Sequence, residues 1–170
     1  MAVVATAACA LVLAATASTA STAVHGSPQA DRAAAPFRAT VACYDRGDWA
    51  TLVRSAYPHE RGHETDVYGL WRYEQREVAL PSRACLSFEH WRAAKPGLLG
   101  IWIFVLGHEL THAQQSDRGA PWQRPFDEVE ADCGGYAKFA SLELALGITR
   151  VVQPPPRSFT RCPLKRAHRR

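Results

Sequence analysis

His108, Glu109 and His112, in the run His108-Glu109-Leu110-Thr111-His112, are the residues of this chain best placed to do chemistry. Histidines at i and i+4 leave a helix from one face, so both imidazoles can reach a single metal ion. Catalytic zinc takes three protein ligands and keeps a fourth position open for water, whose pKa it lowers towards about 7. A carboxylate beside that position can take the water's proton, and the pattern offers this role to Glu109. Downstream, Glu128-Val129-Glu130-Ala131-Asp132-Cys133 sets Glu128 and Asp132 one helical turn apart on a second amphipathic stretch. Glu128 is the candidate third ligand. Asp132 is the candidate hydrogen-bond partner that holds a ligating imidazole from behind.

Context decides the weight of so short a motif. A second match, His59-Glu60-Arg61-Gly62-His63, follows Pro58 and contains Gly62. Proline before it and glycine within it oppose a stable helix, so it reads as a polar loop. Before His108 the chain is apolar almost without interruption, and Ile101, Val105, His108 and His112 fall at helical spacing. The competing reading is a buried helix with two hydrogen-bonded core histidines; the downstream Glu-x-x-x-Asp weighs for zinc.

The pair of motifs resembles the gluzincin metallopeptidases, in which two histidines and a later glutamate bind zinc. Glu128-Val129-Glu130-Ala131-Asp132-Cys133 is similar to the E-x-x-A-D-C signature of the neutral zinc metallopeptidases and to the E-x-E-A-D of their membrane-embedded relatives. The resemblance covers His108 to Cys133 and suggests a minigluzincin-like core. It implies His108, His112 and Glu128 as ligands of a single Zn2+, Glu109 as catalytic base, Asp132 as the carboxylate behind a ligand, and a peptide or protein substrate. Glu130 becomes a bystander. The gap between the two motifs is short, leaving little room for an elaborate substrate subsite. No residue stands out to stabilise an oxyanion; Tyr136, one turn past Asp132, is the candidate, with packing as its competing role.

These residues need elements to hold them. Trp49, Leu52, Val53 and Ala56 predict a helix over 48–56, capped by Asp48. Val67–Trp71 and Glu77–Leu80 predict two short strands around a charged turn. Ser82 is expected to cap a helix running to about Ala94, before Lys95-Pro96-Gly97. The motif helix is expected from about Leu98 to Ser116. A loop with Gly119, Pro121 and Pro125 follows, then a helix from Phe126 to Leu146 stopped by Gly147. Gly134-Gly135 inside that helix suggests close helix–helix approach or a bend. The expected fold class is α+β: a small zincin-like domain over 41–152, its short hairpin packed on the motif helix and a second, glutamate-bearing helix. Tyr68 to Trp71 could hold an extended peptide by strand addition, with core packing the competing role.

The flanks suggest export. Residues 1–23 carry no charge, hold an apolar stretch from Ala7 to Ala17, and offer cleavage sites after Ala20 and Ala23, so they read as a signal peptide without its usual basic start. Residues 24–40 are small, polar and proline-interrupted, and are expected to be flexible. The apolar run at 97–106 is too short to span a bilayer. Past the leader's Cys9, four cysteines remain, Cys43, Cys85, Cys133 and Cys162, suggesting two disulfides with three pairings open. Cys133 is alternatively a metal ligand, although it leaves the face that Glu128 and Asp132 share.

The net charge of +4 belongs to the tail: six Lys and Arg lie in 157–170 without an acid, so fourteen of the twenty bases face sixteen acids elsewhere, a net of −2. A Pro-rich spacer and basic tail over 153–170 therefore offers contact with an anionic surface, or is simply solvated, and nothing points to specific nucleic-acid binding. No repeat, phosphate loop or G-x-S-x-G elbow is present. The function expected is a secreted zinc metallopeptidase. The alternatives are a secreted, zinc-stabilised binding or structural protein, and an α+β domain held by disulfides alone.

Overall fold

The computed structural model describes residues 25–58, 67–119 and 126–163. The expected leader, the second His-Glu-x-x-His run and the end of the basic tail lie outside the described residues. In chain order the elements are β1 (His25–Gly26), α1 (Pro28–Ala34), β2 (Thr40–Tyr44), α2 (Arg46–Ala56), β3 (Leu70–Arg72), β4 (Glu77–Pro81), α3 (Ser82–Glu89), α4 (Pro96–Ser116) and α5 (Glu128–Ala145). The composition is α+β, in line with the sequence pattern.

The strands form one mixed sheet in the order β1-β2-β4-β3. β2 and β4 run parallel at its centre, and the β3–β4 hairpin leaves β3 at an edge. Alternate residues of the central strands enter different cores, as a period of two requires. Val41, Cys43, Val78 and Leu80 pack with α1, α3, α4 and α5, while Ala42, Tyr44 and Ala79 meet Trp49 and Val53 of α2. Covered on both faces, β2 and β4 read as unbroken apolar runs rather than alternating ones.

α4 is the spine of the larger core. Leu99, Trp102, Ile103, Leu106, Leu110 and Ala113 are all fully buried. A helix surrounded on nearly every side has no reason to keep a polar face. No helix among the described residues is long and apolar enough to cross a membrane. α5 lies against α4 at glycine contacts: a Cβ on Gly107 would sit 3.1 Å from the Cα of Gly135, and one on Gly134 would sit 1.9 Å from Thr111 Oγ1. Contacts that advance along α4 retreat along α5, Phe104 meeting Tyr136 and His108 meeting Asp132. Of the two roles open to Gly134-Gly135, close approach is the one the geometry uses.

Two disulfides close the structure, Cys43–Cys85 from β2 to α3 and Cys133–Cys162 from α5 to the C-terminal segment. Cys133 is therefore not a metal ligand.

Several local expectations are corrected. The segment 24–40, expected to be flexible, contains β1, α1 and the start of β2. Ser27 caps α1, Pro28 opens it, and Ala30, Ala33 and Ala34 are buried in the core. Asp45, not Asp48, caps α2, its Oδ1 accepting the N–H groups of Gly47 and Asp48 at 3.0 Å each. α3 ends at Glu89, well short of Ala94, and Ser82 is its first residue rather than its cap. α4 starts at Pro96, since proline suits a first helical turn that has no partner for its N–H. α5 starts at Glu128 because Asp127 caps it, accepting the Glu130 N–H at 3.0 Å. Gly147, at φ +72°, ends it. The segment from Val152 to Cys162 folds back on α5 and is pinned there by the Cys133–Cys162 bridge.

The helix crossing makes a direct prediction. Gly134→Ala forces its Cβ against the Thr111 side chain and should destabilise by about 1–3 kcal/mol, the usual cost of overpacking. Gly97→Ala meets nothing within 4 Å and should leave stability unchanged or slightly higher. Urea unfolding midpoints compare the two.

Candidate metal centre

His108 and His112 project from one face of α4 with their Nε2 atoms 3.1 Å apart. Glu128, the first residue of α5, reaches over them: Oε2 lies 3.2 Å from His108 Nε2 and Oε1 lies 3.5 Å from His112 Nε2. One ligand atom from each of the three side chains falls within 4.8 Å of the others. A tetrahedral ion with bonds of ~2.1 Å would space its ligand atoms about 3.4 Å apart. The separations suit one ion, and the three residues could hold a metal.

Each imidazole is fixed from behind. His108 Nδ1 lies 3.0 Å from Asp132 Oδ1. An ionised carboxylate only accepts, so Nδ1 carries the proton and Nε2 faces the ligand cluster. His112 Nδ1 lies 3.0 Å from Gln115 Oε1. That amide is oriented by α5: Oε1 also accepts the Asp127 N–H at 3.1 Å, and Nε2 donates to the Asp127 carbonyl at 2.8 Å. Gln115 thus orients the His112 imidazole and anchors the residue before Glu128.

Glu109 is buried against the hairpin, only 6 % exposed. Its carboxylate accepts a hydrogen bond from the Trp71 backbone N–H. Gly69 lies so close that a Cβ there would stand 2.9 Å from Glu109 Oε1. Trp71 fastens β3 to α4 a second time, its indole N–H donating to Ser116 Oγ at 2.7 Å. Glu109, Gly69 and Trp71 line a cleft of about 350 Å3 together with Tyr57, Tyr68, Phe104 and Phe126. Phe126 stacks on His112 with ring centroids 5.0 Å apart.

Charge is concentrated here. Burial pushes the His108 imidazole down, but the Glu128 hydrogen bond and the charges of Glu109, Glu128 and Asp132 outweigh it and raise it to about 9. His112 is also raised, with burial again opposing and Glu128, Glu109 and Gln115 prevailing. Hydrogen bonds from both imidazoles hold the Glu128 carboxyl well below the usual range. Burial pushes Glu109 up, against the pull of the two imidazoles.

Of the residues singled out from sequence, His108, Glu109, His112, Glu128 and Asp132 meet in this cleft. Tyr136 does not join them. Its hydroxyl donates to the Pro155 carbonyl at 2.9 Å and its ring lies 4.4 Å beneath the Arg157 guanidinium. The folded-back C-terminal segment takes the group that one-turn spacing offered to an oxyanion. Glu130 stays outside the ligand cluster, as its position off that face implies, and accepts two 2.7 Å bonds from Arg118 and a 3.3 Å bond from Gln115. Gln115 was missed, although its place three residues after His112 continues the same helical face.

Gln115→Ala should weaken metal binding by about 10–100-fold, the usual effect of losing the partner behind a ligand. Competition with a chromophoric chelator measures this. The same assay across pH tests the electrostatics. A group raised to about 9 is protonated below that pH, so metal must displace a proton there. Affinity should then fall as pH falls from 9 to 6, by about tenfold per pH unit for each proton displaced. A flat profile would contradict the raised imidazoles.

Comparison with protein-family models, with curated proteins and with solved structures gives no match for this chain.

Proposed function

We propose that this chain is a secreted zinc metallopeptidase with a zincin-like core. The observation that carries this reading is the convergence of His108, His112 and Glu128 on one point beside the buried Glu109. Two imidazoles and a carboxylate at tetrahedral spacing are a donor set that suits zinc. When bound, zinc there supplies Lewis-acid chemistry, acidifying a water and polarising a carbonyl.

The chain's own residues supply the rest. Glu109 accepts the proton of the attacking water and passes it to the leaving amine. Its burial, which favours the protonated form, helps it hold the proton between those events. Asp132 and Gln115 keep the two imidazoles oriented. β3 is an edge strand, and Gly69, Leu70 and Trp71 wall the cleft. An extended peptide can align on that edge with its side chains among the aromatic residues. Apolar side chains beside the charges, Phe104, Val105 and Phe126, lower the local dielectric and strengthen the charge interactions next to them. Two disulfides favour an oxidising, extracellular setting.

The test pairs composition with turnover. After dialysis against metal-free buffer, the wild type should retain zinc near one ion per chain and cleave members of a quenched-fluorescence peptide library. Glu109→Gln should retain the zinc and lose at least ~10²-fold in rate. Equal rates would remove Glu109 as the base. A chain with neither retained nor restorable zinc would end the metallopeptidase reading.

A further inference from the structure

The bond between Asp132 and the C-terminal segment has no part in the chemistry described above. Asp132 uses one oxygen for His108 Nδ1, at 3.0 Å, while its other oxygen accepts the Arg161 backbone N–H at 2.6 Å. The residues flanking this pair are themselves joined: Cys133 follows Asp132, Cys162 follows Arg161, and the two cysteines form a disulfide. A covalent bond therefore clamps the hydrogen bond that steadies the carboxylate behind a metal ligand.

The approach of this segment is also built. Tyr136 donates to Pro155, Arg157 lies over the Tyr136 ring, and Arg157 Nη1 donates to Cys162 Sγ at 3.2 Å. The two disulfides differ in access. Cys43 and Cys85 are both 0 % exposed, whereas Cys133 is only half-buried. Its partner Cys162 is 8 % exposed, so of the four bridged sulfurs Cys133 offers a thiol in solution the most open approach.

We propose that the Cys133–Cys162 disulfide is a redox control on the metal site, acting through Arg161 and Asp132 as positioning residues. This rests on the metal reading above. The reductant is a dithiol. One of its thiolates attacks the bridge, forms a mixed disulfide and expels a cysteine thiolate; its second thiol then resolves the mixed disulfide. The chain gains two electrons and two protons, and the reductant leaves as its own disulfide. Arg161 is then no longer fastened beside Asp132, the carboxylate loses a partner, and His108 loses the support that fixes its tautomer and ring direction. The reduced chain binds zinc more weakly, so zinc retention becomes a readout of the redox state around the protein.

The test measures zinc affinity by chelator competition on the full chain, with Zn2+ alone as the probe. Cys133→Ala/Cys162→Ala removes the bridge together with both sulfur atoms, so the change in affinity reports the loss of the clamp alone. It should weaken binding by about tenfold or more, within the range found when the partner behind a ligand is lost. Arg161→Pro keeps the cysteines but deletes the donating N–H; it should weaken binding likewise, and it decides the matter if the alanine pair does not fold. In an Asp132→Ala background, removing the bridge should cost less than about twofold more, because the route is already cut. Equal fold losses in both backgrounds would mean general loosening and would overturn the proposal. So would unchanged affinity in the bridge and Arg161 variants of a zinc-binding wild type. A wild type that binds no zinc would instead overturn the metal reading itself.

Discussion

Backbone contact between α4 and α5 sets the distances in the site. Gly107, Gly134 and Gly135 let the helices approach to where any larger residue would collide. At that separation a side chain as short as Asp132 can reach His108 from the neighbouring helix. Widening the crossing by the thickness of a methyl group would part both Asp132 and Glu128 from their imidazoles. A hydrogen bond stretched by that much is no longer one. Packing in the interior and polar geometry at the cleft are thus a single constraint.

The cleft carries an excess of negative charge that must be balanced. Glu109, Glu128 and Asp132 surround two imidazoles. Without metal the imidazoles respond by holding protons more tightly. Two protons and one divalent ion carry the same charge, so exchanging them leaves the local balance unchanged. What changes is direction: protons sit along separate hydrogen bonds, whereas an ion draws three ligand atoms to one centre. The hydrogen bonds to Asp132 and Gln115 lie on the far side of each ring and would be left in place by such an exchange.

The site was legible in the sequence wherever helical periodicity alone decides position. His108, His112 and Glu109 are fixed relative to one another by a single helix, and Glu128 and Asp132 by another. The α+β class followed from the same patterns. Whatever depends on approach between distant segments was not readable. Gln115 matters because Asp127 comes to meet it, and the packing role of Tyr136 is settled over its other role by residues 155–160, which lie against it. The alanines of α1 looked like linker composition; only the space they fill reveals them as core. Asp45 and Asp48 are both good caps, and the start of the helix selects between them.

The disulfides have a topology with its own consequence. They close one ring from Cys43 to Cys85 and another from Cys133 to Cys162, each worth about 4 kcal/mol in the chain-entropy description of an unfolded polymer. α4 lies in neither ring, so the helix carrying His108 and His112 is held by packing and hydrogen bonds without a covalent tether of its own. An ion bridging His112 to Glu128 would close a third ring in the open stretch between them. The three loops would then follow one another like beads on a string, none nested in another. Each tether would restrict its own part of the unfolded chain, and the ion's share would fall on the stretch between the two disulfide rings.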